Sequence, residues 1–153
     1  LKQSFFRGWR DNMKKIAAAL MGTLLLVGLA RADEAIVGTW KTIDDETRQP
    51  KALVQITDNG GEYQGRIVKL FHNPDARCDQ CDGDRKDKPI QGMTILWGLK
   101  KSGDSYEGGK ILDPKKGKIY SSKAKLQDGG KKLEVRGFLG VSLLGRTQTW
   151  ERQ

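Results

Sequence analysis

The sequence predicts an all-β protein, an eight-stranded antiparallel up-and-down β-barrel preceded by a signal peptide. Three observations carry that prediction. Eight short strand-like runs succeed one another, turn-forming residues separate most of them, and no amphipathic helix of useful length interrupts the series. Strands joined in simple succession form a meander, and closure of the meander removes the exposed edges that would otherwise template aggregation.

The first segment stands apart from the rest. Met13-Lys14-Lys15 precedes the apolar run Ile16 to Leu29, 14 residues long, and Ala30-Arg31-Ala32 leads into Asp33. A basic start, an apolar middle and an Ala-x-Ala end are the pattern of a secretory signal peptide cleaved after Ala32. The run is shorter than the about 20 apolar residues of a membrane span, so no stable membrane insertion is expected after cleavage. Leu1 to Asn12 contains Phe5, Phe6, Trp9 and three basic side chains without periodicity, and reads as an extended basic region or as sequence upstream of the true start. Residues 1–32 are thus expected to be removed and residues 33–153 to form one periplasmic or secreted barrel domain.

Charge narrows the function classes. The 28 basic and 19 acidic residues become 22 and 18 once the six bases and the single acid of residues 1–32 are set aside, and the net charge falls from +9 to +4. Bases and acids are interspersed and no stretch interleaves cations with stacking aromatics, which argues against a nucleic-acid partner.

The strands are expected at Ile36 to Ile43, Ala52 to Thr57, Glu62 to Phe71, Met93 to Leu99, Ser105 to Leu112, Lys118 to Leu126, Lys132 to Phe138 and Arg146 to Glu151. Between them, Asp58-Asn59-Gly60-Gly61, Lys101-Ser102-Gly103-Asp104, Asp113-Pro114-Lys115-Lys116-Gly117 and Asp128-Gly129-Gly130 supply the Asx turns and positive φ values of tight antiparallel connections. In the second strand Ala52, Val54 and Ile56 share a face; in the sixth, Tyr120, Ala124 and Leu126 oppose Lys123 and Lys125. Glycines 65, 98, 108, 109 and 137 fall inside strands, where they permit the bends and bulges of barrel corners.

One connection is too long for a hairpin. His72 to Gly92 is rich in charge, Gly and Pro and holds both cysteines, Cys78 and Cys81. In an oxidising compartment the expected state is a local disulfide. A redox-active dithiol would want a helix N-terminus in a βαβ setting, which the pattern lacks. A metal centre would need His72 and Asp79, Asp82 or Asp84 to complete a tetrahedral set, and the second ligand pair of a zinc site is missing. No metal or cofactor is therefore expected. Asp44-Asp45-Glu46 falls in a turn and reads as solvent-exposed. With His72 the only histidine, no hydrolase triad assembles, and the chain is not expected to be an enzyme.

Gly38-Thr39-Trp40, at the first strand, resembles the Gly-x-Trp signature that opens lipocalins, in which the Trp closes one end of the barrel beneath a base from the last strand; Arg146 or Arg152 is placed for that part. Residues 36–153 also resemble the domain of unknown function 2147, a family of small exported bacterial proteins. The resemblance rests on Gly38-Thr39-Trp40, Cys78-x-x-Cys81 running into Asp84-Arg85-Lys86, Pro89-Ile90-x-Gly92-Met93 and Gly108-Gly109-Lys110-Ile111-Leu112-Asp113-Pro114. It continues through Gly117-Lys118-x-Tyr120, Val135-Arg136-Gly137 and Gly145-Arg146-Thr147-Gln148-x-Trp150. It implies a lipocalin-like barrel and an exported location, with no established activity.

An eight-stranded barrel is just wide enough to be filled by its own side chains or to hold one small ligand. The expected lining is Trp40, Tyr63, Ile67, Trp97, Tyr106, Tyr120, Val135 and Trp150, with Arg136, Arg146 and Gln148 as inward polar groups. These would hold a small hydrophobic or amphipathic ligand, the aromatics against its apolar part and an arginine against an anionic head. The alternative is a non-catalytic structural or interaction protein of the envelope, whose disulfide-closed loop and charged rim meet a protein partner or the membrane surface.

Overall fold

Eight strands close on themselves in chain order, each antiparallel to the next, in the computed structural model, which describes residues 35–153. The strands are β1 (Gly38–Ile43), β2 (Pro50–Asp58), β3 (Glu62–Leu70), β4 (Thr94–Ser102), β5 (Ser105–Asp113), β6 (Lys118–Gln127), β7 (Lys132–Phe138) and β8 (Gly145–Arg152). The expected signal peptide lies outside the described residues. Among the described residues no helix is long and apolar enough to cross a membrane.

All eight expected strands are present, with shifted ends that have local causes. β4 continues through Lys100, Lys101 and Ser102, which lack apolar alternation but pair with Glu107, Tyr106 and Ser105. The hairpin ladder thus extends the strand where hydrophobicity alone would stop it. At the N-terminus β1 begins two residues after Ile36, whose side chain is nonetheless buried and whose carbonyl accepts a hydrogen bond from Trp40 Nε1 at 2.8 Å.

The closing ladder is the shortest. β1 meets β8 through Trp40 opposite Arg152 and Lys41 opposite Glu151, and a 2.7 Å ion pair joins Lys41 to Glu151 across the outer face. Inside, Trp40, Val54, Ile56, Leu96, Leu99, Leu133, Val135 and Trp150 are nearly or wholly shielded from water. Glycine supplies the room they need. A Cβ at Gly65 would lie 3.0 Å from Val54 Cγ1 and 3.2 Å from Leu96 Cβ, so the strand wall is thinned where large side chains cross the barrel.

β4 and β5 kink together. Gly98 and Gly108 take φ of +75° and +74°, a region that side chains rarely enter, and sit facing each other between the Trp97–Lys110 and Lys100–Glu107 pairs.

The long β3–β4 connection folds over the outside of the barrel. A bridge pairs Arg77 with Pro89, Cys78 N donates to the Lys88 carbonyl at 2.9 Å, and a short 3₁₀ turn spans Gly83–Arg85. Arg85 stacks on the Trp97 ring at 4.8 Å. Cys78 and Cys81 form a disulfide with a Cα separation of 5.3 Å, and both are buried. Gly117 of the β5–β6 turn approaches this loop so closely that a Cβ there would overlap the Gln80 carbonyl.

The disulfide closes only a short loop, so its effect on the unfolded chain is small. Replacing both cysteines with serine is expected to lower stability by about 2 kcal/mol. Chemical denaturation of the oxidised protein and the double variant checks this, and a loss above about 4 kcal/mol would mean that the bridge also organises the barrel.

Candidate functional site

The two ends of the barrel differ. At one end lie the tight β2–β3, β4–β5 and β6–β7 turns, sealed by Trp40 and Arg152. The guanidinium of Arg152 lies 4.2 Å from the Trp40 ring centroid and donates to the carbonyls of Gly130 (2.7 Å), Val37 (3.0 Å) and Ala35 (2.9 Å). Of the two bases nominated from sequence to cover the Trp, Arg152 does so. Outside this lid is an open depression of about 380 Å³, lined by Ala35, Val37, Gly129, Gly130, Lys131 and Arg152. The one guanidinium facing it is already occupied by three carbonyls, so it has little to recognise a ligand with.

Several expected lining residues belong to the packed lower half. Tyr63 and Tyr106 meet edge-to-face, with centroids 5.0 Å apart and planes at 85°, and both are buried with Ile67, Val135 and Trp150. Burial, with Asp58 nearby, holds the Tyr63 phenol above its ordinary pKa. Two others lie on the outer face. Trp97 pairs with Lys110, one step out of phase with the inward Gly109, and is covered by Arg85. Arg136 follows the inward Val135 on an unbulged strand, so it must point outward. Its guanidinium donates to the carbonyls of Ser142 (2.6 Å) and Leu143 (3.2 Å) and to Thr147 Oγ1 (2.7 Å), which pins the β7–β8 loop.

The opposite end is the mouth, where the remaining nominated residues come together. Tyr120 pairs with Ile111, and Gln148 and Arg146 follow Trp150 along the inner face of β8. Register places Gly109, Ser122, Gly137 and Arg146 in one inner row across β5 to β8. Ser122 is 1% exposed, and its hydroxyl has no hydrogen-bond partner in the protein. Leaving such a group unpaired costs about 1–3 kcal/mol.

A chain of polar contacts crosses this mouth. Trp150 Nε1 donates to Gln148 Oε1 at 3.4 Å, Gln148 Nε2 donates to Asp45 Oδ2 at 3.3 Å, and Arg146 forms an ion pair with the same carboxylate. Asp45 sits on the β1–β2 loop and is aimed inward by its neighbour. Asp44 Oδ1 accepts the backbone N–H groups of Glu46 (3.0 Å) and Thr47 (2.8 Å) and the Thr47 hydroxyl, folding the loop into a tight turn. The Thr47 amide is the main reason the Asp44 carboxyl titrates below its ordinary value.

Asp45 and Ser122 were not nominated from the sequence. Asp45 reads as an exposed turn residue, and its partner lies about a hundred positions away. Ser122 carries a weak signal, a small polar residue between two strands that place glycine beside it. Chemically the mouth offers a cation held by a carboxylate, an amide and a phenol beside Ile111, and the unpaired Ser122 hydroxyl lies buried in the same inner row.

No curated protein matches the sequence. Among solved structures the fold is similar to that described as "Protein HP1028 from the human pathogen Helicobacter pylori belongs to the lipocalin family". The TM-score is 0.69 and the identity 20%, over 78% of this chain and 83% of that one. The eight-stranded barrel is therefore lipocalin-like in fold. A family model described as an uncharacterized protein conserved in bacteria (DUF2147) matches residues 38–152, from the first strand to the last. The chain belongs to the DUF2147 family.

Proposed function

We propose that this protein is an exported, non-catalytic binding protein that takes a small amphipathic ligand with an anionic end at the mouth of its barrel. The reading places it in the periplasm or outside the cell. The observation that carries it is the inner row Gly109, Ser122, Gly137 and Arg146, where a buried hydroxyl without a partner lies in register with a cation. Asp45 occupies Arg146 as an anionic ligand group would, and an incoming head group displaces it. Because Trp40 and Leu99 fill the barrel below, only the apolar portion nearest the head enters, against Ile111 and Tyr120.

Native mass spectrometry of the protein purified from its own cell envelope, before and after solvent extraction, tests this. A discrete added mass lost on extraction is expected. Rebinding of that extract to Arg146→Ala should be about 10- to 100-fold weaker, the worth of one charge-assisted contact. A clean apo mass, or undiminished rebinding by the variant, would overturn the reading.

A further inference from the structure

The β7–β8 connection is anomalous for a surface loop. Leu139, Val141, Leu143 and Leu144 are 60%, 59%, 87% and 77% exposed, on a segment that includes the 3₁₀ turn Ser142–Leu144. Scattered exposed leucines are ordinary, but four within six positions form a patch that calls for an explanation. The segment is also held rather than loose, because Arg136 grips the Ser142 and Leu143 carbonyls. A fixed backbone that presents apolar side chains to water has paid no attention to its own solubility.

We propose that this loop docks the mouth of the barrel on an anionic lipid bilayer, with Leu143 and Leu144 entering the interface. Two features favour a bilayer over a protein surface. The patch is a narrow tip on the order of a few hundred Å², below the roughly 800 Å² that each partner contributes to a stable protein interface. A fluid interface needs no matching shape and accepts such a tip. The flank is also basic. Lys123 pairs with Arg136 and Lys110 with Ser121 on the outer faces beside the loop, while Lys118 begins β6 at the same end, opposite Asp113. Among the described residues no carboxylate forms an ion pair with Lys110, Lys118 or Lys123. Of the acids at this end, Asp44, Asp45 and Glu46 lie on the β1–β2 loop, where Arg146 holds Asp45, Asp113 stands opposite Lys118, and Asp75, Asp79, Asp82, Asp84 and Asp87 lie on the β3–β4 loop. Docking of this kind would open the ligand site toward the membrane, although the surface stands whether or not a ligand binds.

The test uses residues 33–153 carrying Leu143→Trp, a change at a side chain 87% exposed. With vesicles of phosphatidylethanolamine and phosphatidylglycerol at 3:1, the new indole should shift to the blue relative to the unsubstituted protein and be quenched by brominated acyl chains. Binding should fall at least tenfold on pure phosphatidylcholine or at high salt. Leu139→Ser with Leu144→Ser should abolish flotation with the vesicles while the circular dichroism spectrum stays unchanged. Absence of flotation with the phosphatidylglycerol-containing vesicles, or equal binding to pure phosphatidylcholine, would overturn the proposal. So would a dimer that forms without vesicles and is lost in the serine variant, because the patch would then be a protein contact.

Discussion

Trp40→Ala is expected to lower stability by about 3–5 kcal/mol, the range for removing a fully buried large aromatic. The indole is fully buried, donates to the Ile36 carbonyl and lies beneath the Arg152 guanidinium. What makes the position critical is the seam it closes. β1 and β8 share only two register pairs, so backbone pairing alone holds that edge weakly. Trp40 and Arg152 form one of those pairs, and Arg152 also ties the N-terminal stretch at Ala35 and Val37 to the β6–β7 turn at Gly130. Arg152→Ala should cost less, about 2 kcal/mol, since its hydrogen bonds are partly exposed and the aromatic survives. Urea denaturation followed by far-ultraviolet circular dichroism measures both. In the double variant the losses should fall short of the sum by about 1 kcal/mol, because each residue's contribution depends on the other. A Trp40→Ala loss below about 1 kcal/mol would mean that the seam is held by something else.

The seam also shows which features the sequence made legible. Gly38-Thr39-Trp40 and the turn residues announce the closed end because their constraints are local: a tight turn needs its Asp and Gly wherever the strands go. The Cys78–Cys81 bridge is legible for the same reason, since two cysteines three positions apart meet without help from the fold. The site is harder to read, because it depends on which way each side chain faces. Trp97 faces outward, next to the paired kink at Gly98 and Gly108 that breaks simple alternation along β4 and β5. Arg136 was a different matter. Consecutive residues of a regular strand face opposite sides, so an inward Val135 already excluded an inward Arg136. Asp45 was hidden for a third reason. Nothing in a turn sequence says that its carboxylate will reach over a barrel mouth to a base on the last strand.

Gly109→Val tests the packing that this arrangement implies and is expected to cost about 3 kcal/mol, at the upper end for overfilling a core. Even a bare Cβ there would lie 2.7 Å from both Leu99 Cγ and Leu99 Cδ2, and 2.7 Å from Ser122 Oγ. The Ser122 hydroxyl can rotate, but Leu99 is fully buried and has nowhere to go. The strand therefore has to give, and with it the inner row that runs on through Ser122 and Gly137 to Arg146. A compensating change separates collision from any intrinsic need for glycine. Leu99→Ala alone leaves a cavity and should cost about 2–5 kcal/mol. Joined to Gly109→Val it removes the colliding atoms and refills the space, so the double variant should be more stable than the sum of the single losses predicts by about 2 kcal/mol. The φ of Gly109 lies outside the positive region, so its backbone makes no separate demand for glycine. Additive losses in the cycle would therefore locate the strain in the Ser122 side of the row, at the floor of the proposed ligand site, instead of in the central core.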